Sequence, residues 1–516
     1  MREININNIA NSVKQGKVSF LVGAGISYNS GIPLVGNIND DLKIVDGIET
    51  YILDRLGFSS KEISRFLQIP FETFFEVLIN NNINQKEFSR IFNAEPSLFH
   101  SFLAELSRKF PINIGTTNFD NCIEKAFQER GFSYKIITKE NYELCDRNIW
   151  KFHGSIDNLD NLGITIKNIS NKRNFNERIE LITQFISQSD YIIVCGYSCS
   201  DIFDVTPAFA NYKFKNKKNI IYISHKRSEI PINISETGTE YTRIRNMFDG
   251  YNLSIIEYNT DKFVYDVMGH LNINWLEVKN IHFKWKDIID ICINNFDQFR
   301  KNKTVANLYY QIEDFQKSIE YLEVALKCAS DIDQELACKR SIGWTYCRLN
   351  DVKNALLYLE PLLRRDDVKF LMNQFPEHYA NIYSHLGVCY IINKEYKSAK
   401  ECFDMSIYIA EKYQLIWVLG QALINTGEFY RIQGEYDEAI KYTSKALEIL
   451  EENGYLEYVG ICYANLSEIS AKQNKISQSI KYMKLAINIA KDLGNTTTFI
   501  KRKNTLDKIY EQSISQ

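Results

Sequence analysis

The sequence predicts an α/β domain with a parallel sheet, followed by an all-α superhelix of repeated helical hairpins. Up to about residue 275, short β-rich runs alternate with helical stretches, a pattern typical of strand–helix–strand crossovers. From about residue 300 the strand signals stop, and a helical unit recurs every 40 residues. The 516 residues are enough for several domains with cores of their own.

Six apolar runs in the first part are the candidate strands of the sheet. Several are apolar throughout rather than alternating, which favours parallel strands buried on both faces. The runs are VSFLVGAG (18–25), INIGTTNFD (112–120), IWKFHGS (149–155), YIIVCGYS (191–198), NIIYISH (219–225) and LSIIEYN (253–259). Helical patterns lie between them, around 96–108, 120–130 and 175–188.

Several groups of residues that could bind a ligand lie where the predicted strands end. In parallel α/β sheets, ligands bind at the carboxyl ends of the strands. The clusters span residues 23–27, 116–120, 153–157 and 196–201. The sequence therefore places its candidate site at the ends of four strands.

The second part has the pattern of paired amphipathic helices in tandem. Gly387, Gly427 and Ser467 recur at the same place in the last three copies, where a small residue lets two helices approach. The copies are 305–326, 342–363, 386–410, 426–450 and 466–490. They resemble the tetratricopeptide repeat, whose units stack into a superhelix with a concave surface for peptide or protein.

Composition and charge argue against several classes of protein. The 61 Lys and Arg residues nearly balance 64 Asp and Glu, so attraction to nucleic acid is not expected. We find neither a signal-peptide pattern nor a run of about 20 apolar residues for a membrane helix. The 11 cysteines show no Cys-x-x-Cys spacing, which favours a reducing compartment and predicts no zinc site. We expect a cytoplasmic protein without a metal.

The stretch GAGIS (23–27) places two glycines and a serine at the end of a predicted strand. Glycine turns let backbone N–H groups approach a phosphate, and the start of a following helix favours negative charge. The next glycine is Gly31, so the spacing departs from the Gly-x-Gly-x-x-Gly pattern of dinucleotide-binding turns. The turn by itself does not identify the ligand.

Three further segments follow the turn in order: TTNFD (116–120), FHGSID (152–157) and VCGYSCSD (194–201). Together with GAGIS…SGIP (23–33), they resemble the Sir2 (sirtuin) family over about 250 residues. The resemblance implies a Rossmann-like domain that binds NAD⁺ as its substrate. The expected divisions are the Sir2-like domain at 1–275, a connecting helix at 276–303 and the repeat domain at 304–516.

The resemblance assigns three residues to the chemistry. His153 is the general base, since an imidazole can titrate near neutral pH. Asn118 positions a water molecule or the ribose, because an amide both donates and accepts, and Asp120 contacts or orients the nicotinamide side. Capping of the helix that follows is the alternative for Asn118 and Asp120, and a structural histidine is the alternative for His153.

The expected contacts to NAD⁺ surround the same strand ends. The pyrophosphate is predicted over residues 23–27 with Ser27 beside the phosphates, while Ser198 and Asp201 either reach the adenosine ribose or cap their own loop. The predicted binding residues are Gly23, Ala24, Gly25, Ser27, Pro33, Thr116, Gly196, Ser198 and Asp201. The six other histidines, His100 among them, receive no role.

The chain departs from the protein-deacylating sirtuins at two places. No cysteine lies between His153 and Cys195, where those enzymes carry a zinc module, and Leu-Val-Gly stands at 34–36 in place of Asp-Phe-Arg. The motifs look more like the bacterial antiphage branch. That resemblance implies an NAD⁺ glycohydrolase yielding nicotinamide and ADP-ribose.

The same resemblance implies how such an activity is used. The enzyme depletes NAD⁺ in abortive infection when the repeats sense a trigger, by analogy a phage protein, and homo-oligomers are common in this branch. Two alternatives stay open. The first is a deacylase or ADP-ribosyltransferase whose repeats recruit the substrate. The second is a non-enzymatic sensor of NAD⁺ or ADP-ribose.

Overall fold

A computed structural model gives the fold of the chain and describes residues 5–16, 18–33, 47–138, 143–157, 165, 172–199, 205–212, 217–234, 241–274, 283–492 and 496–514. Contacts divide the chain into two compact units. Unit 1 contains Met1–Ile52, Asn84–Ile164 and Arg173–Cys292, and unit 2 contains Leu53–Ile83, Thr165–Lys172 and Ile293–Gln516. None of the helices in the described ranges combines the length and apolar character needed to cross a membrane.

Unit 1 contains a mostly parallel sheet of eight strands. The strands are β1 (Val18–Val22), β2 (Asn113–Thr116), β3 (Lys135–Ile137), β4 (Asn148–Lys151), β5 (Tyr191–Cys195), β6 (Asn219–His225), β7 (Ile232–Asn233) and β8 (Asn252–Tyr258). Their order across the sheet is β3-β4-β2-β1-β5-β6-β8-β7, and only β7 pairs antiparallel, with β8. The six predicted strands are confirmed, with ends shifted by a few residues.

The helices up to residue 294 lie before, between and after these strands, with several in succession between β1 and β2. They are α1 (Ile6–Lys14), α2 (Ile48–Leu56), α3 (Ser60–Phe66), α4 (Phe71–Asn80), α5 (Gln85–Ser89), α6 (Leu98–Lys109), α7 (Cys122–Glu129), α8 (Lys172–Ser187), α9 (Val205–Asn211), α10 (Thr242–Met247), α11 (Thr260–His270) and α12 (Trp285–Asn294). A 3₁₀ helix, Ala24–Ser30, follows β1 directly. The predicted helices at 96–108, 120–130 and 175–188 correspond to α6, α7 and α8.

Helices cover both faces of the sheet, which explains why its central strands are mostly apolar and buried. All five residues of β1 are buried. One face packs against α1, α6, α7 and α11 through residues such as Phe102 and Phe263. The opposite face packs against α8, α9 and α10 through residues such as Phe185 and Met247. This arrangement is the expected one for parallel strands joined by helical crossovers.

The strand order creates a switch point beside β1. The chain proceeds from β1 to β2 on one side and later returns to β5 on the other side of β1. Crossovers on the two sides of such a strand diverge and leave a crevice at its carboxyl end, where α/β proteins bind ligands. The candidate site residues follow β4, β2, β1 and β5, four neighbouring strands of the sheet.

Unit 2 consists of helical hairpins. Its helices from residue 298 onward are α13 (Gln298–Gln311), α14 (Phe315–Lys327), α15 (Ile332–Arg348), α16 (Val352–Leu363), α17 (Val368–Gln374), α18 (Pro376–Ile392), α19 (Tyr396–Lys412), α20 (Ile416–Gln433), α21 (Tyr436–Glu452), α22 (Leu456–Lys472), α23 (Ile476–Asp492) and α24 (Thr496–Ile514). Five hairpins pair α13 with α14, α15 with α16, α18 with α19, α20 with α21, and α22 with α23. Within 276–303, the described residues form α12 and the start of α13 rather than one connecting helix.

The small residues of the repeat lie where the two helices of a hairpin approach. A Cβ atom on Gly387 would come within 2.5 Å of the Phe403 ring, and one on Gly427 within 2.4 Å of Thr443 Oγ1. At the equivalent place in the fifth hairpin, Ser467 Oγ donates to the carbonyl of Ser479 at 2.8 Å. Close approach of the two helices therefore accounts for the predicted 40-residue pattern.

Helices α3 and α4 pack in unit 2, although they precede most of the sheet in sequence. Tyr309 of α13 packs against Phe58 and Phe66, with ring centroids 5.6 and 5.3 Å away. Its hydroxyl donates to Glu62 Oε1 at 2.6 Å, and Lys317 Nζ lies 2.9 Å from the same oxygen. A hydrogen bond from Ser59, together with those from Tyr309 and Lys317, lowers the pKa of Glu62 well below its usual value. The first hairpin therefore holds α3 through an aromatic cluster and an ion pair.

Candidate functional site

Hydrogen bonds between loops tie three neighbouring strand ends together. Thr117 N–H donates to Val22 O at 3.2 Å, and Phe152 N–H donates to Thr116 O at 3.1 Å. Farther along, Ile156 N–H donates to Phe119 O at 3.0 Å. Thr116 pairs with Lys151 in the sheet, so Asn118 and His153 each lie two residues beyond a paired position. The sheet thus brings the TTNFD and FHGSID segments side by side at its carboxyl edge.

Glycines at the ends of β1 and β5 let two turns pack directly against each other. Gly25 N–H donates to Gly196 O at 2.8 Å, and Gly23 N–H donates to Cys195 O at 3.1 Å. A Cβ atom on Gly25 would lie 2.7 Å from Gly196 Cα, and Gly196 itself has φ of +64°. Both N–H groups are thus committed to carbonyls and are not available to a pyrophosphate. Close packing of the turns is what requires glycine here.

Ser27 is the centre of a buried hydrogen-bond network. Its side chain is fully buried, and its hydroxyl donates to Asp120 Oδ2 at 2.8 Å. Ser27 Oγ also accepts from Asn118 Nδ2 at 3.0 Å and lies 3.2 Å from His100 Nε2. With these three partners, the hydroxyl has no capacity left for a phosphate. Ser27 therefore orients its buried neighbours, and its hydroxyl is not available for the predicted contact to a phosphate.

Asp120 is likewise buried, with both carboxylate oxygens engaged. Oδ2 accepts from Ser27, and Oδ1 accepts from the backbone N–H of Cys122 at 3.0 Å, near the start of α7. The helix-capping alternative therefore describes one of its two oxygens. Asp120 is 3% exposed, and both of its carboxylate oxygens are occupied by donors of the protein.

The orientation of the Asn118 amide is fixed by its neighbours. Asn118 Nδ2 donates to Ser27 Oγ at 3.0 Å and to the Gly23 carbonyl at 3.2 Å, and its backbone N–H donates to Thr116 Oγ1 at 3.0 Å. Turning the amide over would set its oxygen against the Gly23 carbonyl. In the observed orientation, Oδ1 is buried and has no hydrogen-bond partner among the described residues. A buried acceptor without a donor is costly, so this atom is suited to a water or a ligand hydroxyl.

His100 is the member of the network that sequence reasoning missed. Ser97, at the start of α6, donates its backbone N–H to His100 Nδ1 at 3.0 Å. This contact places the imidazole proton on Nε2, which then donates to Ser27 Oγ. Burial lowers the pKa of His100 to about 4, so the ring is neutral near pH 7. The Ser-x-x-His spacing of a capping box was the signal in the sequence.

A buried ion pair lies below this network. Lys151 Nζ is 3.0 Å from Glu124 Oε1, with both side chains almost fully buried, and it also donates to the Asp120 carbonyl. Burial lowers the pKa of Lys151, but Glu124 and Asp120 outweigh that effect and the net shift is upward. Lys151 therefore carries the positive charge that balances the carboxylates on this side of the sheet.

His153 differs from His100 in being partly exposed. It lies two residues after the end of β4, its ring centroid is 6.2 Å from that of Phe119, and Gly154 after it has φ of +83°. A base that must exchange protons with substrate and solvent needs such exposure. His153 is thus the histidine of the described site that can meet a ligand.

The other predicted binding residues divide into exposed and buried ones. Ser198 and Gly25 are exposed at the crevice and Ala24 is partly exposed, while Pro33 is buried. Thr116 is buried and holds the Asn118 backbone. Asp201 lies outside the described residues, as does the Leu-Val-Gly segment at 34–36.

Ligand atoms of His100, Asp120 and Cys122 lie within 4.8 Å of one another, a spacing that also suits a metal ion. These ligand atoms, however, already form hydrogen bonds with other groups of the protein. Both ring nitrogens of His100 contact serines, and the Cys122 thiol points to the carbonyl of Ala94 at 3.6 Å. Burial raises the pKa of Cys122, which favours the thiol over the thiolate that binds metals.

Comparison with protein families gives the class of the chain. A SIR2-like domain matches residues 113–243. Tetratricopeptide repeats match residues 380–413 and 418–492. The chain therefore carries a SIR2-like domain followed by tetratricopeptide repeats, and its predicted fold class is confirmed. None of the curated proteins compared with the chain matches it.

Solved structures similar to the chain include helical-repeat proteins. The Rap protein complexed with competence and sporulation factor has 13% identity, with 45% of this chain and 69% of that chain covered, at a TM-score of 0.37. A thermophilic TPR protein in Thermus thermophilus has 14% identity, with 41% of this chain and 98% of that chain covered, at a TM-score of 0.32. Likeness at this level concerns the fold alone.

Proposed function

We propose that the protein is an NAD⁺ glycohydrolase that releases nicotinamide and ADP-ribose. SIR2-like domains use NAD⁺, which makes it the substrate class to expect. The observation that carries the proposal is the buried Oδ1 of Asn118, which has no hydrogen-bond partner among the described residues. Its loop is hydrogen-bonded to the loop that carries the partly exposed His153. A water-positioning acceptor next to a base is what hydrolysis of a glycosidic bond requires.

The reaction follows from these two groups. The bond between the ribose C1′ and the nicotinamide nitrogen breaks, and its electron pair leaves with the nicotinamide, which becomes neutral. Asn118 Oδ1 accepts a hydrogen bond from the incoming water and so fixes its approach to C1′ of the oxocarbenium-like sugar. His153 takes the proton that the water loses. The products are nicotinamide, ADP-ribose and one proton.

Ser27, His100 and Asp120 serve the reaction indirectly. Because Ser27 Oγ accepts from both His100 and Asn118, it can donate only to Asp120. Only one arrangement of donors and acceptors therefore satisfies this network. In that arrangement the Asn118 N–H groups donate to Ser27 and Gly23, and Oδ1 remains available to the water. Preorganisation of this kind reduces the rearrangement needed on the way to the transition state.

The biological role proposed here is antiphage defence. An enzyme that consumes NAD⁺ without control would harm its own cell, so the activity must be restrained until the repeats bind a trigger. Tetratricopeptide repeats at 380–413 and 418–492 support a protein-binding role. On this proposal the protein acts in the cytoplasm as a homo-oligomer, a phage protein is the trigger, and NAD⁺ depletion aborts the infection.

The test is the loss of NAD⁺ and the identity of its products, measured on the full-length protein alone and with lysate of phage-infected cells. Asn118→Ala and His153→Ala should each lower nicotinamide release by about 100-fold or more. Gln128→Ala is the control, since this side chain is exposed on α7 and donates to the Tyr134 hydroxyl at 2.8 Å. Nicotinamide release unchanged by both substitutions would contradict the proposal.

Two other outcomes would favour the alternatives. Turnover that requires an acyl-lysine peptide, with the acyl group transferred to ADP-ribose, would indicate a deacylase. Binding of NAD⁺ without turnover under every condition would indicate a sensor. The partly exposed His153 argues against the sensor, because a purely binding site has no use for a base.

A further inference from the structure

Two cysteine thiols are in contact between the second and third hairpins of unit 2. Cys347 lies near the end of α15 and Cys389 near the end of α18, and their Sγ atoms are 2.9 Å apart. Both belong to one buried apolar cluster, which also contains Leu336, Leu359 and Leu386. The sulfurs of a disulfide are about 2.05 Å apart, so a movement of less than about 1 Å would join this pair.

The pair spans the junction with the longest connection between the five hairpins. Gly343 and Gly387, which take the same place in their hairpins, are 44 residues apart, whereas Gly387 and Gly427 are 40 apart. The added chain lies between α16 and α18, where it forms α17. The third and fourth hairpins, by contrast, are joined through residues 413–415 alone. A longer connection restrains its two hairpins less, so a covalent bond across this junction would add more restraint.

The two sulfurs can be reached only by a small reagent. Cys347 is 8% exposed and Cys389 is 0% exposed, so hydrogen peroxide can approach Cys347, whereas a bulky disulfide such as oxidised glutathione cannot. The contact with Cys389, together with burial, raises the pKa of Cys347, which is therefore protonated near pH 7. Because the thiolate is the nucleophile, oxidation should be slow near pH 7 and faster at higher pH.

A bound metal ion does not explain this pair. Zinc lies about 2.3 Å from each thiolate and takes four ligands, so it would hold the sulfurs farther apart than 2.9 Å. Within the part of the chain that the structure describes, neither cysteine has two further metal-ligating side chains close enough to complete a site. A direct bond between the two sulfurs is the chemistry that remains.

We propose that Cys347 and Cys389 are a modification site, at which hydrogen peroxide forms a disulfide that ties the second hairpin to the third. Cys347 sulfur first attacks one peroxide oxygen, the O–O bond breaks, and the leaving hydroxide takes the thiol proton as water. Cys389 sulfur then attacks the Cys347 sulfenic acid, the S–O bond breaks, and hydroxide leaves with the second thiol proton. Two thiols and one peroxide thus give one disulfide and two water molecules.

The bond should be reversible, since disulfides in a reducing compartment are usually transient. Its formation does not depend on the proposed hydrolase, so the test needs no NAD⁺.

The experiment maps disulfides by mass spectrometry in the full-length protein, treated with hydrogen peroxide at about pH 7 and about pH 8.5 and then alkylated. Tryptic peptides 341–348 and 370–394 each contain one cysteine of the pair and no other cysteine. We expect these peptides to be linked, with a mass about 2 Da below their sum, and to separate on addition of dithiothreitol. The link should form faster at the higher pH. Absence of the link while the exposed Cys145 is oxidised would overturn the inference.

Two variants distinguish a specific pair from general oxidation of buried thiols. Cys389→Ala leaves Cys347 without its partner, so peroxide should produce a sulfenic acid that dimedone traps, and no link. Cys402→Ala is the matched control, because Cys402 is a buried cysteine of the same apolar cluster, and this variant should retain the link. A link from Cys347 to Cys402 in the wild-type protein would contradict the assigned pair.

The restraint on the junction can be measured by thermal unfolding of oxidised and reduced protein. A disulfide that closes residues 347–389 limits the unfolded chain, so the oxidised wild type should melt about 5 °C or more above the reduced protein. Cys389→Ala should show no such shift after the same treatment. Equal melting temperatures of oxidised and reduced wild type would contradict the proposed restraint.

Discussion

Asn118 owes its proposed role to three buried neighbours. His100, Ser27 and Asp120 are buried, and each hydrogen bond between them determines which atom of the next residue carries a proton. Replacing any of them by a residue with a different donor pattern should therefore disturb the Asn118 amide. The consequence for catalysis should appear in the rate of bond cleavage rather than in affinity for NAD⁺.

His100 provides the test of this dependence. His100→Gln keeps an N–H donor near the Nε2 position, whereas His100→Ala removes it. We expect His100→Ala to lower kcat for NAD⁺ hydrolysis at least about tenfold with little change in KM, and His100→Gln to recover much of the loss. Equal kcat values for the two variants would show that the donor is unimportant.

The stability of the protein should also report on His100. Its ordinary pKa of 6.5 applies to the unfolded chain, while the folded value is about 4. Between these values the unfolded chain binds the extra proton, so the free energy of unfolding falls as the pH drops. From about pH 7.5 to about pH 5 the loss due to His100 is about 2 kcal/mol.

Thermal unfolding of wild type and His100→Gln at the two pH values measures the loss of stability that is due to His100. His378 and His385 also have lowered pKa values, but both proteins contain them, so the difference isolates His100. The variant should lose less stability on acidification. An identical pH dependence of the two proteins would mean that His100 is not held neutral by the fold.

Among the secondary-structure elements, the two glycine turns after β1 and β5 control the geometry of the site. We predict that Gly196→Ala destabilises the protein by about 3 kcal/mol or more, because a Cβ atom would lie 2.6 Å from Ile26 N and the backbone has a positive φ. Gly269→Ala in α11 is the control, with open space around it and an expected gain of up to about 1 kcal/mol. Thermal unfolding would measure both, and equal melting of Gly196→Ala and wild type would contradict the turn packing.

The elements also show how far the sequence alone could lead. β1 and β5 could be predicted because strands buried on both faces are continuous apolar runs. β3 and β7 could not, because they have only three and two residues and lie at the edges of the sheet. Asn118 and His153 stood out by motif, but the role of His100 depends on its proximity to Ser27, 73 residues away, and on the proton placed by Ser97.

On the scale of the whole chain, the two units are not consecutive pieces. Residues 53–83 precede most of the sheet in sequence but belong to unit 2, through contacts such as Tyr309 to Glu62, 247 residues apart. No local pattern could predict such a pairing, since neither partner has an unusual sequence context. A division at residue 275 therefore separates Phe58 and Phe66 from the aromatic residue that covers them.

This arrangement predicts the behaviour of a truncated chain. A protein ending at residue 297 should aggregate, because Phe58 and Phe66, which are 7% and 1% exposed in the full chain, lose Tyr309. Replacing both phenylalanines by serine in the truncated protein should reduce the aggregation. Size-exclusion chromatography would measure it, and a monomeric truncated protein with cooperative unfolding would contradict the assignment of 53–83 to unit 2.

The central claim is that water, positioned by Asn118, attacks the ribose of NAD⁺. The most direct measurement is mass spectrometry of the ADP-ribose that the full-length protein forms in ¹⁸O-labelled water, beside Asn118→Ala. The account predicts one ¹⁸O atom in each ADP-ribose formed and a loss of product in the variant. An unlabelled cyclic product, an acylated ADP-ribose, or labelled product formed equally by Asn118→Ala would contradict it.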